Sequence, residues 1–565
     1  MTHPNCFVKQ LTFNDNSKID VNRDSIVVFV GANNSGKSRS LKDIGAKVES
    51  VHNSSVVVCA VDINIDNAFD YWSYLGTVAR RTSTSGGGCY YSGLDFRFYT
   101  GEIGDFQKRK DYGSAAPCFF RHLLTDARLA ICQPPDSVSR DEQPQHPIHL
   151  VARDAELRKT ISRSFFEAFS FYLVPDPLYG RKIPLWCVPL LPTMNGFNGK
   201  DELEREDAFY SEIRKFSMLH EQGDGMRSFA GILLNLALPY VRTFCIDEPE
   251  AFLHPPQAKI MGEMIAKLLN RQQQAFIATH SESIVKGLME AAPDRVKVVR
   301  IVREGVKNRV SKLDSAELLQ FWKDPILRYS NIMSGMFYNK TVVCESDSDC
   351  KLYSAMDSHL KGKEGKFSEA LFVAGGGKHR LPVIAKALLS LKIDYRIIAD
   401  IDVLDDENVF KSVVESVGVK WDEVLNDYKV IVENLRAQRE KVPRGEIVEL
   451  LNNITGQEGT YLADGEVGRI KDCIKTESKW SLLKKGGVPI IPSGEPTQAW
   501  HKLDLQLKKH GLYIVPVGEL ENFVKEVGNS KLHGPKWVDK VLHDYPNLDD
   551  EVYKQLKDFV ESLQV

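Results

Sequence analysis

The stretch SIVVFVGANNSGKS, residues 25–38, decides the fold of the amino-terminal half of the chain. Residues 25–30 form a short apolar run rich in β-branched side chains, which is typical of a buried strand. A glycine-containing loop follows at residues 31–37, and helical spacing begins at residue 38 and continues to residue 48. Strand, loop and helix in this order predict the start of a mononucleotide-binding α/β fold.

The loop has the spacing G-x-x-x-x-G-K-[ST], the Walker A pattern of phosphate-binding loops. Its glycines let backbone N–H groups surround phosphate oxygens, and the following helix amino terminus favours anions. We expect Lys37 to reach the terminal phosphates of ATP and Ser38 to bind Mg²⁺. The loop residues predicted to bind ATP are Gly31, Asn33, Asn34, Ser35, Gly36, Lys37 and Ser38.

Two later runs contain acids and a histidine that we expect to act on the same bound ATP. The run TFCIDE, residues 243–248, is a buried-strand pattern ending in two acids. In this pattern one carboxylate holds Mg²⁺ and the next polarises the attacking water, so we assign these roles to Asp247 and Glu248. The run QAFIATHS, residues 274–281, is a second apolar strand, and we expect His280 at its end to sense the γ-phosphate as a neutral imidazole.

These elements in this order resemble the ABC-type ATPase heads of repair and chromosome-maintenance ATPases, over about residues 1–335. The resemblance implies a signature loop that binds the γ-phosphate of the opposite subunit. Residues 222–228, QGDGMRS, match this loop, with Gly225 as its retained glycine and an ordinary helix cap as the alternative. It also implies a Q-loop glutamine, for which Gln133, after a β-like run at residues 129–132, and Gln107 are the two candidates.

Length and composition limit the classes of protein to consider. The chain has 565 residues and a formal net charge of −3, which predicts several structural units and excludes binding of nucleic acid through overall positive charge. Ten cysteines without a C-x-x-C pair fit neither a disulfide framework nor a zinc ribbon. No apolar run is long enough for a membrane span, so we expect a cytoplasmic protein.

A second series of strands and helices begins with the run TVVC, residues 341–344. We therefore predict one domain over residues 1–335, with a helical insertion and candidate dimerisation element at about 150–220. The second domain is predicted over residues 336–565, with a helical insertion at about 407–480. Further strands are predicted at residues 370–373, 395–401 and 512–517.

Carboxylates follow two of these strands: Glu345 comes directly after the first, and Asp400 and Asp402 end another. Because residues i and i+2 of a strand share a face, we expect Asp400 and Asp402 to point at one spot that Glu345 joins. With Asp349 as a fourth ligand, these hard oxygens suit Mg²⁺ or Mn²⁺. Two such ions about 4 Å apart would stabilise the attacking and leaving oxygens of a phosphodiester displacement.

Other charged residues near the end of the chain are candidates for the same site. Glu519 or Glu521 could supply a further metal ligand after the strand 512–517, or could instead stabilise a helix amino terminus. Lys536 is the first candidate, and Lys531 the second, for a lysine that stabilises charge on the transferring phosphate. A solvated surface lysine is the alternative for both.

Glu345, the glycine-rich turn AGGGK at residues 374–378 and the Asp400-x-Asp402 pair resemble the Toprim domain of topoisomerases, primases and a class of nucleases. Ser346 stands where glycine is usual in that family. The chain has no evident active-site tyrosine segment, which favours hydrolysis by a metal-activated water over topoisomerase chemistry. The predicted fold class is therefore α/β, an ABC-type P-loop ATPase head followed by a Rossmann-like Toprim domain.

An ABC-type ATPase followed directly by a Toprim domain resembles the overcoming-lysogenization-defect (OLD) family of nucleases. The resemblance implies a homodimer or larger assembly through the ATPase half and a metal-dependent DNA endonuclease or nickase controlled by ATP. It also implies an effector of anti-phage defence of the retron or Gabija type, with a companion such as a reverse transcriptase or helicase.

Two other functions remain open from the sequence. One is a repair-type ATPase that binds or senses DNA through a Toprim domain that does not cleave. The other is a toxin-like nuclease acting on RNA, because a two-metal centre does not itself exclude a 2′-hydroxyl.

Overall fold

The computed structural model divides the chain into two compact units, Met1–Gln320 and Phe321–Val565. The division falls before the boundary predicted between residues 335 and 336, and the helix Ser315–Lys323 crosses it. The structure describes residues 3–83, 89–93, 96–99, 109–139, 141–192, 202–313, 315–324, 331–437, 444–455, 464–474, 479–527 and 532–563.

The first unit contains several sheets. Its described strands, in chain order, are β1 (Phe7–Phe13), β2 (Lys18–Asp20), β3 (Ile26–Val30), β4 (Val58–Asn64), β5 (Arg80–Ser83), β6 (Cys89–Gly93), β7 (Phe96–Tyr99), β8 (Phe120–Leu123), β9 (Tyr172–Pro175), β10 (Leu185–Val188), β11 (Thr243–Asp247), β12 (Gln274–Ala278), β13 (Val296–Glu304) and β14 (Lys307–Lys312). The largest sheet has the order β14-β13-β3-β12-β11-β8. Smaller antiparallel sheets have the orders β2-β1-β4, β5-β6-β7 and β10-β9.

The strand before the Walker A loop, β3, lies inside the largest sheet and is buried along its whole length. It pairs in parallel with β12 and β13, and β11 pairs in parallel with β12 and β8. Strands of a parallel sheet covered on both faces need nearly continuous apolar runs, and β3, β11 and β12 have them. The predicted α/β fold of this half is confirmed.

Helices cover this sheet. They include the Walker A helix (Lys37–Glu49) and the signature helix (Asp224–Leu236). The other described helices of the unit are Tyr71–Val78, Ala116–Phe119, Thr125–Ala130, Pro147–Arg153, Ala155–Phe169, Glu202–Ile213, Pro255–Leu268 and Glu282–Ala291.

Two predictions for this unit are corrected. The β-like run at residues 129–132 is wrong, because it belongs to the helix Thr125–Ala130 and the turn after it. Its apolar residues occur there because this helix packs on the signature helix. The insertion at about 150–220 is not helical throughout, since β9 and β10 form an antiparallel hairpin with a small core that includes Val174 and Trp186.

The second unit is built on a parallel sheet of β15 (Lys340–Cys344), β16 (Ala370–Ala374), β17 (Asp394–Ala399) and β18 (Leu512–Ile514). The strand order is β16-β15-β17-β18, and every neighbouring pair is parallel. All four strands therefore deliver their carboxyl ends to one edge of the sheet. The loops that follow β15, β16 and β17 carry the acids and glycines singled out in the sequence.

The predicted insertion at about 407–480 is helical where the structure describes it. The described helices of the second unit are Asp347–Lys363, Leu381–Ser390, Glu407–Ser416, Trp421–Ala437, Arg444–Thr455, Asp464–Ile474, Lys479–Gly486, Glu495–Lys509, Pro535–Asp544 and Lys554–Ser562. Within the described ranges, no helix has both the length and the apolar character needed to cross a membrane.

The expectation that Asp400 and Asp402 share a strand face is wrong. β17 ends at Ala399, and Ile401–Asp405 form a short 3₁₀ helix. The chain turns out of the sheet because the N–H of Asp400 donates to Glu345 Oε1 at 2.9 Å and the N–H of Ile401 donates to the Gly518 carbonyl at 3.2 Å.

A substitution at Gly231 tests the close approach that positions the signature helix. A Cβ atom at Gly231 would lie 2.1 Å from the Arg128 carbonyl oxygen, a backbone atom that cannot move alone. We expect Gly231→Ala to lower the free energy of unfolding by about 1–3 kcal/mol, the usual cost of overpacking. Urea unfolding measures the change.

Gly76→Ala is the matched control, because a Cβ at Gly76, also helical, would have nothing within 4 Å. That variant should be neutral or slightly stabilising, since alanine is the better helix former. Equal stability of the two variants would contradict the close packing at Gly231.

Candidate functional site

The Walker A loop is shaped by its glycines. Gly36 has a φ of 103° directly before the Walker A helix, and Gly31 has a φ of 148°, conformations that favour glycine. A Cβ at Gly31 would lie 2.2 Å from the carbonyl oxygen of Ile301 on β13. The loop is therefore seated directly against the sheet backbone.

A buried asparagine holds the same loop from behind. Asn308 Nδ2 donates to the Ser35 carbonyl at 2.6 Å, and Asn14 Nδ2 donates to Asn308 Oδ1 at 2.9 Å. The backbone N–H of Asn308 in turn donates a hydrogen bond to Asn14 Oδ1 at 3.0 Å. Asn308 was not among the sequence candidates, because its role depends on contacts with distant parts of the chain.

Lys37 is buried against its own loop. Its Nζ donates to the carbonyl oxygens of Gly31 and Ala32, each at 2.8 Å. Burial lowers the pKa of Lys37 to about 8, although the nearby Glu248 and Glu250 oppose that shift. The ammonium is held by weak carbonyl partners, which phosphate oxygens can replace with stronger, charge-assisted hydrogen bonds.

Ser38 and Asp247 meet as the sequence predicted. Ser38 Oγ donates to Asp247 Oδ1 at 2.8 Å, which joins the Walker A helix to the end of β11. A hydroxyl and a carboxylate in contact are oxygen donors of the kind that Mg²⁺ prefers. The donor set at this point fits the Mg²⁺ of a Mg²⁺–ATP complex.

Glu248 and His280 face each other across the ends of β11 and β12. His280 Nε2 lies 3.4 Å from Glu248 Oε1. Burial, and then the positive charge of Lys37, lower the pKa of His280, so its imidazole is neutral near pH 7. Glu248 has a φ of 45°, a strained conformation for this residue, and its N–H donates to the Ala278 carbonyl at 2.8 Å.

These residues line one cleft of about 460 Å³. Its walls include Arg303 and the largely exposed Val306 in addition to the Walker A loop. The lining residues that the sequence had singled out are Asn33, Asn34, Gly36, Lys37, Ser38, Glu248 and His280. A cleft with polar walls and a phosphate-binding loop at its base suits a nucleotide.

Two further residues support this site and were not predicted. Glu250 Oε1 accepts hydrogen bonds from Thr279 Oγ1 at 2.8 Å and from the His280 N–H at 2.6 Å, which fixes the strand end that carries the histidine. Burial raises the pKa of Glu250. Arg128 is buried and donates through Nη1 to the Glu248 carbonyl at 3.2 Å. The sequence run DEPE could have pointed to Glu250, whereas no local pattern marks Arg128.

The signature candidate lies at a helix start. Gly225 is in the first turn of the signature helix, and a Cβ there would lie 2.6 Å from the Phe252 carbonyl oxygen. Glycine is therefore required for packing, whatever else it does. Gln133 is exposed and follows a helix rather than a strand, so the reason for choosing it no longer holds, and Gln107 lies outside the described residues.

The second unit brings Glu345 and Asp400 together. Glu345 follows β15, and its side chain accepts the Asp400 N–H at the end of β17. Burial, with the charges of Asp402 and Asp349 added, raises the pKa of Glu345 to about 7. Burial and then the charge of Glu345 raise the pKa of Asp400 to about 8. These carboxylates lie close enough to repel one another in a poorly solvated place.

The glycine-rich turn after β16 wraps the same point. The N–H groups of Gly376 and Gly377 donate to the Glu345 carbonyl at 3.1 and 3.0 Å. Both glycines have positive φ, 77° and 96°. The turn also directs Lys378 onto Asp402, where Lys378 Nζ lies 3.2 Å from Oδ1 and 3.1 Å from the main-chain carbonyl oxygen.

Asp402 has a second lysine partner. Lys484, from the helix Lys479–Gly486, places its Nζ 3.4 Å from Asp402 Oδ2 and 3.1 Å from Glu519 Oε1. Lys484 thus contacts both Asp402 and Glu519, two of the metal ligands predicted from the sequence. Neither these lysine contacts nor those of Lys378 were predicted from the sequence.

Asp349 has a partner of its own within the first turn of its helix. Its Oδ2 accepts the Ser346 N–H at 2.8 Å, and Ser346 Oγ accepts the Asp349 N–H at 3.4 Å, forming a capping box. Ser346, where the Toprim pattern has glycine, thus caps the helix. Burial raises the pKa of Asp349, and the charge of Glu521 adds to this shift.

The two candidate lysines near the end of the chain differ in what the structure says of them. Lys536 is exposed in the first turn of the helix Pro535–Asp544. Lys531 lies outside the described residues. Glu521 Oε1 accepts the Gly534 N–H at 2.9 Å, which places the loop before Lys536 beside the acids.

The side chains of this cluster are of a type that binds divalent ions, but their positions do not form a complete set of ligands around one point. Its five candidate ligands, Glu345, Asp349, Asp400, Asp402 and Glu519, carry hard oxygens of the kind that Mg²⁺ and Mn²⁺ prefer. Among the residues that the structure describes, no three His, Cys, Asp or Glu side chains are arranged to hold a metal ion. Lys378 and Lys484 both contact the carboxylate of Asp402.

Sequence comparison finds similarity to an AAA domain model and to a curated nuclease. The family model described as AAA domain, putative AbiEii toxin, Type IV TA system, matches residues 162–286, the segment that holds Gly225, Asp247, Glu248 and His280. The Old nuclease of Escherichia phage P2 is 22% identical over 285 residues, 49% of this chain and 42% of that protein. The match thus spans less than half the length of that curated relative.

The structure comparison also returns heads of SMC proteins, with low TM-scores. The SMC head domain from Thermotoga maritima is 14% identical with a TM-score of 0.28, covering 55% of this chain and 100% of that one. The Smc head bound to the C-winged helix domain of ScpA is 15% identical with a TM-score of 0.32, covering 56% and 99%. From the sequence comparisons, residues 162–286 match an AAA domain model, and the chain, as its sequence motifs predicted, resembles the OLD family of nucleases.

Proposed function

We propose that the protein is an ATP-regulated, divalent-metal-dependent DNA endonuclease or nickase that acts in anti-phage defence. The observation that carries this proposal is the partly buried group of carboxylates at the carboxyl edge of the second parallel sheet, where Glu345 Oε1 accepts the backbone N–H of Asp400 at 2.9 Å. The similarity to the Old nuclease supports the nuclease class, and the AAA-type match supports use of ATP.

The order of elements supports a Toprim domain. A parallel sheet presents Glu345 after β15, a glycine turn after β16 and Asp400 after β17, and these three loops lie together at one edge. This is the order in which the Toprim motifs occur in the sequence. The adjacent 3₁₀ helix adds Asp402, and the loop after β18 adds Glu519.

In the proposed reaction the carboxylates hold one or two Mg²⁺ or Mn²⁺ ions, with Glu345, Asp349, Asp400, Asp402 and Glu519 as ligands. The bound ions would lower the pKa of a water and stabilise the leaving oxygen of a phosphodiester. The chain itself keeps the acids at fixed positions through the Glu345–Asp400 hydrogen bond and the glycine turn. Lys536, exposed on the neighbouring helix, contributes positive charge for a phosphate.

In the first unit, Lys37 and the Walker A loop bind the phosphates of ATP, and Ser38 with Asp247 holds its Mg²⁺. Glu248 polarises the attacking water, and neutral His280 donates a hydrogen bond to the γ-phosphate. Gly225 contributes the start of the signature helix to the nucleotide of a second copy of the chain. The nucleotide state then regulates cleavage.

The proposed partners are DNA and a second copy of this chain, bound through the ATPase half. A further proposed partner is a companion subunit or nucleic acid of the same defence system, such as a reverse transcriptase with its product or a helicase. The proposed location is the cytoplasm. A non-cleaving DNA-sensing ATPase and an RNA-cleaving nuclease are outcomes that the tests below separate from the proposal.

Removing the charge of Glu345 tests the nuclease assignment. Glu345→Gln keeps the shape of the side chain but removes a metal ligand, so we expect Mn²⁺-dependent cleavage of plasmid DNA to fall at least about 100-fold. Glu415→Gln, an exposed surface change in the same unit, is the control. Parallel incubation with tRNA reveals an RNase.

Equal cleavage by the wild type and Glu345→Gln would disprove the site. ATP-dependent DNA binding without any metal-dependent product, from wild-type protein, would favour the DNA-sensing alternative. Product from tRNA alone would favour the RNA-cleaving one.

Replacing Lys37 tests the nucleotide site. Lys37→Ala removes charge-assisted hydrogen bonds to phosphate, each worth about 1.5–3 kcal/mol, so we expect ATP affinity to fall about 10- to 100-fold. Fluorescent-nucleotide titration measures it. Lys42→Ala, an exposed change on the same helix, should bind ATP as the wild type does, and a similar loss in both variants would contradict the assignment.

Replacing Glu248 separates ATP binding from hydrolysis. Glu248→Gln should bind ATP normally but hydrolyse it about 100-fold or more slowly, because a positioned base typically contributes that factor or more. Release of inorganic phosphate under saturating ATP measures the rate. An unchanged rate would exclude Glu248 as the residue that polarises the attacking water.

A further inference from the structure

Lys484 occupies an unusual position in the carboxylate cluster of the second unit. It belongs to the helix Lys479–Gly486, in the helical region between β17 and β18, yet its ammonium lies between two candidate metal ligands. The distances from Nζ are 3.4 Å to Asp402 Oδ2 and 3.1 Å to Glu519 Oε1. One positive charge thus bridges two carboxylates that come from different loops.

The backbone at Lys484 is fixed to the loop that carries Glu519. Asn522 Nδ2 donates to the Lys484 carbonyl at 2.9 Å and to the Val517 carbonyl at 3.0 Å. A Cβ at Gly518 would lie 2.1 Å from the Lys484 carbonyl oxygen, so only glycine permits this approach. The main chain of Lys484 therefore stays close to the acids whatever its side chain does.

The side chain of Lys484, in contrast, is free to leave. It is 43% exposed and consists of a flexible four-carbon stem with a strongly hydrated ammonium. Two ion pairs exposed to this degree hold it only weakly. Its ammonium can therefore move to solvent without any displacement of the helix.

The position of Lys484 matters because of the charges around it. Among the described residues, the five candidate ligands outnumber the two lysines, Lys378 and Lys484, that contact Asp402 and Glu519. Of the two lysines, Lys378 also bonds the main-chain carbonyl of Asp402 and so holds the loop. Lys484 contacts only the carboxylate oxygens of this cluster among the described side-chain contacts.

We propose that Lys484 is a tethered internal cation that competes with a divalent ion for the carboxylates of Asp402 and Glu519 and moves to solvent when a metal binds. The inference rests on the proposed metal site and adds a competitor built into the chain. Asp402 and Glu519 both face the ammonium of Lys484. Removing that ammonium should make metal binding easier.

The test is titration of Mn²⁺ into nucleotide-free, full-length protein, followed by electron paramagnetic resonance of the free ion. We expect Lys484→Met to bind Mn²⁺ about three- to tenfold more tightly than the wild type, the size expected for the loss of two partly exposed ion pairs. The same variant without metal should have a lower melting temperature, because the acids lose a counter-ion. Lys484→Arg, which keeps the charge, should bind Mn²⁺ as the wild type does.

Lys411→Met is the matched control, since Lys411 makes an exposed ion pair with Glu415 at 3.9 Å in the same unit. It should leave Mn²⁺ affinity unchanged. Mn²⁺ affinity of Lys484→Met equal to or weaker than that of the wild type would overturn the inference. Absence of Mn²⁺ binding to the wild type, or binding that Asp400→Asn leaves intact, would instead overturn the proposed metal site.

A second measurement needs no variant and therefore does not depend on how Lys484→Met folds. Acetylation of wild-type lysines by an N-hydroxysuccinimide ester, read by mass spectrometry, reports how accessible each amine is. We expect saturating Mn²⁺ to raise the acetylation rate of Lys484 relative to that of Lys411. An unchanged ratio while Mn²⁺ is bound would overturn the inference.

Discussion

Parallel strands that are buried on both faces impose the main constraint on this protein. Such strands need mainly apolar side chains along their length, and parallel direction brings all their carboxyl ends to one edge of the sheet. Residues that directly follow or end strands of the two parallel sheets include Gly31, Asp247, Glu345 and Asp400. The candidate site of each unit therefore lies at one edge.

The two edges balance buried charge in different ways. In the first unit the cation is Lys37, which rests on the carbonyl oxygens of its own loop while acids stand opposite. In the second unit the acids follow the ends of the strands. The compensating cations, Lys378 and Lys484, come from separate segments of the chain. An uncompensated charge in such a place would be costly, so each edge carries its own partner.

The residues that follow strands could be predicted from the sequence because their position depends on local pattern alone. An apolar run that ends in acids fixed Asp247, Glu248 and Glu345 without knowledge of the rest of the chain. The same reasoning fails for Asp402. The apolar pattern continues to Ile401, but the N–H of Asp400 donates to Glu345 and the strand ends before that point.

Supporting residues that act across long distances in the sequence could not be predicted. Lys484 meets Asp402 over a separation of 82 residues, and Arg128 meets the Glu248 carbonyl over 120. No periodicity relates such pairs. The apolar residues beside Gln133 misled the strand prediction for a similar reason, since they pack a helix on the signature helix.

The buried Asn308 supports the Walker A loop, although it is synthesised long after that loop. It bonds Ser35 across 273 residues and is itself held by Asn14. During synthesis, the loop sequence leaves the ribosome long before this support exists, and domains generally fold as units. The hydrogen bond that Asn308 donates to the loop can therefore form only after nearly all of the first unit, which ends at Gln320, has been synthesised.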